Sequence, residues 1–202
     1  GIIAYKAPAM DAITIEFYGK KAHAGIEPEK GINAIVTASK AISKMRIGRI
    51  DKETTSNLGR IDGGGATNIV TDHVSVSAEI RSHDLEKLEA EKNHMRDCCE
   101  QAAKKMKADY KFICNNAYPA LSVDLDSEIV NVTKEAMIKE DVTPDLQVIG
   151  GGSDANVLAA HGYRSVILGV GMKDVHTVEE SLDIDDLVKA TKIINHIMCA
   201  DR

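Results

Sequence analysis

The stretch His73-Val74-Ser75-Val76-Ser77-Ala78-Glu79-Ile80-Arg81-Ser82 alternates apolar and polar side chains along its whole length. Successive side chains of a β-strand point to opposite faces of a sheet, so this alternation predicts a strand with one buried and one polar face. Residues 12–18 repeat the pattern, with Ile13, Ile15 and Phe17 on the apolar side. Both stretches are therefore interpreted as half-buried strands.

Amphipathic helices are predicted on either side of the first of these strands. Apolar residues recur every three or four positions between about Glu29 and Met45, and Asp84 is a typical N-cap for a second helix. The apolar positions expected to face inward are Ile35, Ala38, Ile42 and Met45 in the first helix, and Leu88, Met95, Cys99, Ala102 and Met106 in the second. With further strands near residues 56–61 and 109–114, the order strand-helix-strand-strand-helix-strand predicts a ferredoxin-like unit over residues 9–117.

The order of elements changes from Tyr118 onward. The predicted elements are, in order, a helix near 127–139, a strand at 146–149, a glycine-rich loop, an apolar strand at Ser165–Leu168 and a helix from about Asp185. The side chains of the last helix expected to face inward are Leu187, Ala190, Ile194 and Ile197. These elements are too few to bury both faces of a sheet, so residues 1–8 and 118–202 are interpreted as part of a larger α/β domain.

Composition and charge argue against two classes of function. The 202 residues carry a net charge of −6 with no Lys/Arg cluster, which is unlike a nucleic-acid-binding surface. No apolar run approaches the roughly 20 residues that a membrane-spanning helix needs. The four cysteines form no CxxC pair and predict reduced thiols in a cytoplasmic protein. The chain opens on Gly1-Ile2-Ile3-Ala4 with no initiator Met, so we expect a segment trimmed from a longer chain.

Two candidate site residues lie in glycine-rich loops of the first unit. His23 stands in Gly19-Lys20-Lys21-Ala22-His23-Ala24-Gly25, where the glycines predict a tight turn from which the ring projects. The alternative is a surface histidine without a special role. Asn68 follows Gly63-Gly64-Gly65 and offers an amide to a substrate carbonyl, although the same glycines are also typical of a plain hairpin turn.

Three further candidates carry charge, free backbone N–H groups or an imidazole. The planar guanidinium of Arg81 suits a carboxylate, and the alternative is an ion pair with Glu79. The loop Gly150-Gly151-Gly152-Ser153-Asp154 follows a strand and opens a helix, where N–H groups favour a carboxylate or an oxyanion. No Gly-Lys-Ser/Thr follows it, so phosphate is not expected. His176 precedes two acids and is a candidate zinc ligand; the alternative is an ordinary loop histidine.

Taken in order, these motifs resemble the aminoacylase/carboxypeptidase family of di-zinc peptidases. The resemblance rests on His-Ala-Gly at 23–25, Asn-Ile-Val at 68–70, Glu-Ile-Arg-Ser at 79–82, Gly-Gly-Ser-Asp at 151–154 and His-Thr-Val-Glu-Glu at 176–180. Gly48-Arg49-Ile50-Asp51, with Thr54, Thr55 and Asn57, is most similar to the peptidase T, or tripeptide aminopeptidase, branch. The resemblance extends over essentially the whole chain.

The resemblance implies a role for each candidate. His23 would be catalytic, reaching the active site of the neighbouring subunit and stabilising the oxyanion there. The residues that would bind the peptide substrate are Asn68, Arg81, Gly151, Gly152, Ser153 and Asp154. His176 would be a zinc ligand. Residues 1–8 would be a strand of the catalytic domain, 9–117 a ferredoxin-like lid that forms a homodimer, and 118–202 the carboxyl-terminal part of the α/β catalytic domain.

The sequence also departs from the family. The His-x-Asp motif, the bridging Asp, the Glu-Glu pair and a further acidic ligand are not found in it. A catalytic zinc needs about three protein ligands. We therefore expect a full-length enzyme with two zinc ions that hydrolyses short peptides, and a 202-residue chain that holds no zinc and is inactive. The alternatives are a non-catalytic dimerisation or small-molecule-binding module, and a ferredoxin-like regulatory domain that binds amino acids but leaves His176 unexplained.

Overall fold

The computed structural model describes residues 1–199. The chain divides into two compact units, which we call the inserted unit, Ala9–Tyr118, and the flanking unit, Gly1–Pro8 with the residues from Pro119 onward. The helices and strands are β1 (Ile2–Ala7), β2 (Ala9–Tyr18), α1 (Ala34–Ile42), β3 (Gly48–Arg49), β4 (Thr54–Gly63), β5 (His73–Ser82), α2 (Leu85–Met106), β6 (Asp109–Tyr118), β7 (Leu121–Ser122), α3 (Glu128–Lys139), β8 (Asp145–Val148), α4 (Asp154–Ala160), β9 (Ile167–Leu168) and α5 (Ile184–Met198). Residues 200–202, which the predicted third segment includes, lie outside the described residues.

The inserted unit is an antiparallel sheet with the strand order β3-β4-β5-β2-β6. Leaving aside the short β3, this is the order expected of a ferredoxin-like unit, and the predicted mixture of α+β and α/β elements is confirmed. The side chains that alternate inward on β2 and β5 are buried, namely Ile13, Ile15, Phe17, Val74, Val76 and Ile80. Met95 and Cys99 of α2 are fully buried as well, so one face of the sheet is covered by helices and the other stays polar.

The first helix is shorter than the periodicity predicts. Pro28–Lys30 forms a separate single 3₁₀ turn, and α1 begins only at Ala34, where the Asn33 side chain accepts a hydrogen bond from the Val36 N–H at 3.2 Å. The expected inward position of Ile35 is wrong, because its side chain is 41% exposed. The face that packs on the unit consists of the small residues Ala34, Thr37, Ala38 and Ala41. The N-cap role of Asp84 in α2 is confirmed.

In the flanking unit β1 is the central strand. It pairs in parallel with β8 and antiparallel with β7 and β9. A small core of Ile3, Ala136, Met137 and Ile193 lies against it. Leu187 and Ile194 of α5 were expected inward and are 48% and 43% exposed, because the core contacts the side of the helix that carries Ile193 instead.

No helix among residues 1–199 is long and apolar enough to cross a membrane.

Candidate functional site

His23 and Asn68 lie in two loops that are joined by backbone hydrogen bonds. The N–H of Ala24 donates to the carbonyl oxygen of Asn68 at 2.9 Å, and the N–H of Val70 donates to that of Ala22 at 2.9 Å. His23 and Ile69 are thereby paired as an antiparallel bridge. This pairing gives the exposed His23 a defined position.

The tautomer of His23 follows from a single hydrogen bond. The backbone N–H of Gly25 lies 3.1 Å from His23 Nδ1 and can only donate, so Nδ1 must be the acceptor. In the neutral ring the proton is then on Nε2. His23 therefore presents an N–H donor on an exposed ring. The side-chain amide of Asn68 is also exposed and makes no hydrogen bond within the described part of the chain.

Arg81 lies at the opposite end of the same sheet. It is paired with Met10 on β2, beside the point where the chain enters the inserted unit, whereas the loop that carries Asn68 precedes the start of β5. Val74 and Arg81 are seven positions apart, which is about 23 Å along a strand. Within one copy of the inserted unit, the structure therefore brings His23 and Asn68 together and keeps Arg81 away from both.

The side chain of Arg81 is only partly occupied by its neighbour. Its Nη2 lies 2.8 Å from Glu79 Oε1, and this hydrogen bond raises the pKa of the Arg81 guanidinium above its usual value. The ion pair with Glu79 considered from the sequence is thus present. The Arg81 Nε atom is buried and has no hydrogen-bond partner among the described residues. The side chain as a whole is 29% exposed, so its accessible N–H groups can still bind a carboxylate.

The loop at 150–154 connects β8 to α4, as predicted. Ser153 Oγ accepts a hydrogen bond from the N–H of Ala155 at 3.2 Å, and Asn156 Oδ1 accepts one from the N–H of Ser153 at 3.0 Å. Ser153 and Asn156 form a capping box, in which each side chain accepts a hydrogen bond from the backbone N–H of the other residue, so N–H groups at the start of α4 are taken up locally. A Cβ atom added at Gly150 or Gly151 would meet no atom within 4 Å, so the chain's own packing does not require glycine at either position.

His176 lies in a strained, exposed loop of the flanking unit. Its φ is 68° and that of Asp174 is 50°, a left-handed conformation that costs free energy in residues other than glycine. The loop is held by the His176 N–H, which donates to Glu180 Oε2 at 2.7 Å, and by a bridge between Lys173 and Ser181. Within residues 1–199, no group of three or more His, Cys, Asp or Glu side chains is arranged to hold a metal ion.

Sequence reasoning missed a pair formed by a carboxylate and an imidazole at the end of the sheet near His23. His73 Nε2 lies 2.6 Å from Glu16 Oε2, and Ser75 Oγ donates to Glu16 Oε1 at 2.9 Å. The His73 ring also stacks on Tyr18, with 5.3 Å between ring centroids. Strand alternation does place these side chains on polar faces. The register that joins them, Tyr18 opposite His73, cannot be read from either strand alone.

The chain is similar to known proteins along nearly its whole length. Residues 10–107 match the family described as the peptidase dimerisation domain, M20 type. The chain is 45% identical over 194 residues to YqjE, an uncharacterised protein of Bacillus subtilis strain 168, and the match covers 96% of this chain and 52% of that protein. The chain thus spans about half the length of this relative.

Solved structures are also similar to this chain over nearly its whole length. The aminopeptidase PepT of Bacillus cereus ATCC 10987 is 44% identical with a TM-score of 0.83, and the match covers 98% of this chain and 53% of that one. A tripeptidase of Staphylococcus aureus subsp. aureus Mu50 is 35% identical with a TM-score of 0.87, over 97% of this chain and 52% of that one. The likeness therefore extends through both units and reaches about half of each of these peptidases.

Proposed function

We propose that this chain, a peptidase T-like member of the M20 peptidase family, is part of a zinc-dependent aminopeptidase that hydrolyses short peptides. The similar structures are named as an aminopeptidase and a tripeptidase, which supports a short peptide as the substrate. Since the chain spans about half of each, the remaining parts of the catalytic site are assigned to the portion of the peptidase that it does not span.

The observation that carries this proposal is the exposed ring of His23 and its hydrogen bond from Gly25. An exposed ring with Nδ1 engaged by Gly25 keeps its proton on Nε2. That N–H can donate to the oxygen that becomes negatively charged when a peptide carbonyl is attacked. The pairing of the His23 and Asn68 loops holds the donor in place before the substrate arrives, which is the condition under which such a donor accelerates a reaction. We assign His23 to oxyanion stabilisation.

The separation of His23 from Arg81 favours a site that is completed by a second subunit. The two residues lie at opposite ends of one sheet, so one copy of the inserted unit cannot offer both to one short peptide. Residues 10–107 match a dimerisation domain. In a two-fold symmetric homodimer, an end-to-end arrangement would carry His23 and Asn68 of one subunit toward the Arg81 end of the other.

Arg81 and the glycine-rich loop are assigned to substrate binding. The Arg81 side chain is 29% exposed beside Glu79, and its planar guanidinium suits a carboxylate of the peptide. The side-chain amide of Asn68 would accept a hydrogen bond from, or donate one to, a backbone group of the same substrate. Gly151, Gly152, Ser153 and Asp154 would contact the peptide backbone, and the empty space above Gly150 and Gly151 leaves room for its close approach.

The residues of this chain do not by themselves fit a di-zinc site. A catalytic zinc needs about three protein ligands and an open position, and a two-metal site also needs a bridging group. His176 is one imidazole, and the described residues place no second and third ligand beside it. We propose that His176 joins ligands from the portion of the peptidase outside this chain. The chain alone would then retain no zinc and have no hydrolytic activity.

A non-catalytic dimerisation or small-molecule-binding module is the second candidate. It is favoured by the inserted unit, which forms a compact unit with its own core. The two candidates differ in what the longer protein does, because only the first predicts peptide hydrolysis. We further propose a cytoplasmic location, since all four cysteines are free thiols, as expected in a reducing compartment.

The test is the His23→Ala substitution in the full-length peptidase. We expect kcat for a tripeptide to fall by about 10²–10³-fold with little change in KM, which is the usual loss when one oxyanion donor is removed. His94→Ala, on α2, is the matched control and should leave both constants unchanged. Equal activity of the His23→Ala and His94→Ala proteins would remove His23 from the mechanism and with it the main support for the proposal.

A further inference from the structure

Two chain segments connect the flanking unit to the inserted unit, one at Pro8 and one at Pro119. On the flanking side the segments are paired, with Ala7 opposite Leu121, and on the inserted side Met10 is opposite Tyr118. On the flanking side, β1 and β7 thus form a two-stranded ribbon, with Pro8 directly after β1 and Pro119 shortly before β7. A proline has no N–H to donate, so it interrupts the ladder, and the backbone carbonyls there need another donor.

Asn156 supplies that donor to both prolines. Its side chain is fully buried, and Nδ2 lies 2.9 Å from the carbonyl oxygen of Pro119 and 3.2 Å from that of Pro8. An amide NH₂ group has two hydrogens, and here each reaches one strand of the ribbon. The Asn156 Oδ1 atom accepts the N–H of Ser153 at 3.0 Å. One buried side chain thus connects both strands and the glycine-rich loop.

We propose that Asn156 is a positioning residue that fixes the loop 150–154 to the Pro8 and Pro119 segments of the flanking unit. The part of this inference that concerns substrate rests on the proposed function, in which Ser153 and Asp154 contact the peptide. Asn156 itself is buried and does not touch substrate. It acts by joining the loop to the Pro8 and Pro119 segments within the flanking unit, which fixes the position of Ser153.

If Asn156 were only a helix cap, it would need the hydrogen bond that Oδ1 accepts from Ser153, but not the two that Nδ2 donates to Pro8 and Pro119. The capping box of α4 uses Asn156 Oδ1 and the Ser153 side chain, and it leaves Nδ2 free. A cap residue can keep its amide in water, whereas this amide is buried and both of its hydrogens are matched to carbonyl acceptors. Leaving buried acceptors without a donor costs about 1–3 kcal/mol each, so the arrangement is specific for an amide.

Three substitutions separate the ribbon contact from the helix cap. Asn156→Asp has nearly the same shape and keeps the acceptor for the Ser153 N–H, but it removes both N–H donors. Asn156→Ala removes donors and acceptor together. Ser153→Ala removes a cap side chain and leaves the amide of Asn156 in place. Asn131→Asp is the control, since Asn131 Nδ2 also donates to a backbone carbonyl, that of Asp126, but on the exposed surface of α3.

The measurement is amide hydrogen exchange on the 202-residue chain. The reporting amides are those of Val123 and Ile149, which donate to the carbonyls of Tyr5 and Lys6 beside the ribbon. We expect Asn156→Asp and Asn156→Ala to exchange at least about tenfold faster there, since 1.4 kcal/mol corresponds to a factor of ten. Ser153→Ala and Asn131→Asp should stay within about twofold of the original chain.

Unchanged exchange at Val123 and Ile149 in Asn156→Asp would overturn the proposal and reduce Asn156 to a cap. Amides of β2 and β5 in the inserted unit serve as an internal reference for folding. Should Asn156→Ala unfold the flanking unit entirely, the isosteric Asn156→Asp protein decides alone. Hydrogen exchange does not depend on catalysis, so this test can succeed even if the chain proves to have no peptidase role.

In the full-length peptidase the same variant has a second readout. Because Asn156→Asp displaces a loop assigned to substrate, we expect KM for a tripeptide to rise while the pH profile of kcat keeps its shape. A fall in kcat with unchanged KM would contradict a positioning role through loop 150–154. Loss of the exchange effect together with a normal KM would reject the inference and leave the assignment of His23 untouched.

Discussion

At the scale of single residues, Asp51 of the motif Gly48-Arg49-Ile50-Asp51 stabilises a turn. Its Oδ1 accepts the N–H groups of Glu53 at 2.9 Å and Thr54 at 2.8 Å, and Lys87 Nζ lies 3.3 Å from its Oδ2. The hydrogen bond from the Glu53 backbone is the main cause that lowers the pKa of Asp51 to about 2. The carboxylate therefore stabilises the turn that leads into β4.

The first prediction concerns the pH dependence of Asp51→Asn. The folded-state pKa of about 2 is below the value of about 3.9 for an unfolded chain, so the carboxylate contributes stability above about pH 4 and loses it as the pH falls toward about 2. We expect a lower Tm than for the original chain near neutral pH and a difference that shrinks across this window. Thermal melts followed by circular dichroism provide the measurement.

The control for this prediction is Asp109→Asn. The Asp109 carboxylate makes no hydrogen bond and no ion pair within residues 1–199, so its removal should have little effect on Tm. A Tm difference for Asp51→Asn that stays constant from neutral pH down to about 2 would show that charge on Asp51 is not what stabilises the turn.

At the scale of helices and strands, prediction succeeded where local signals and burial agree. The bounds of β5 follow from strict alternation, and the start of α2 follows from Asp84, whose side chain accepts hydrogen bonds from the N–H groups of Glu86 and Lys87. The faces of α1 and α5 were wrong in part, because which side of a helix is covered depends on neighbours distant in sequence. Ile35 and Ile194 fit a helical period yet remain exposed.

The second prediction is the cost of removing the N-cap of α2. Asp84→Ala leaves two N–H groups of the first turn without an acceptor, so the free energy of unfolding of the inserted unit should fall by about 1 kcal/mol. Asp84→Asn keeps a side-chain oxygen that caps equally well and should be close to neutral. Urea unfolding of the three proteins gives the comparison, and equal losses for Ala and Asn would point to the charge of Asp84 instead.

The sequence proposes a set of candidate site residues, whose roles stay predictions, and it does not give their arrangement in space. Glycine-rich loops and strand polarity were sufficient to single out His23, Asn68 and Arg81. Their distribution over opposite ends of the sheet depends on the registers of β2, β4 and β5, which one sequence does not reveal. The sequence does not single out Asn156, because an Asn in a short helix after Gly-Gly-Ser-Asp is an ordinary polar residue. Its importance depends on two acceptors distant in sequence, the carbonyl oxygens of Pro8 and Pro119.

At the scale of the whole molecule, the chain consists of a continuous unit inserted into a discontinuous one. The change in element order near Tyr118 predicted a two-part organisation, and the similarity to PepT extends through both parts at 44% identity. The proposed function gives His23, Asn68 and Arg81 roles in binding a peptide and gives His176 the role of one metal ligand. Under the proposed function, this chain contributes to substrate recognition, and the remaining metal ligands come from the part of a PepT-like protein that it does not span.

The measurement that tests this account most directly is zinc content together with tripeptide hydrolysis, on the 202-residue chain and on a protein of the length of its relatives. We predict two zinc ions and turnover in the longer protein, and neither in the chain alone. Tight stoichiometric zinc and hydrolysis by the 202-residue chain itself would contradict the account, since its own histidines and acids would then form a complete site.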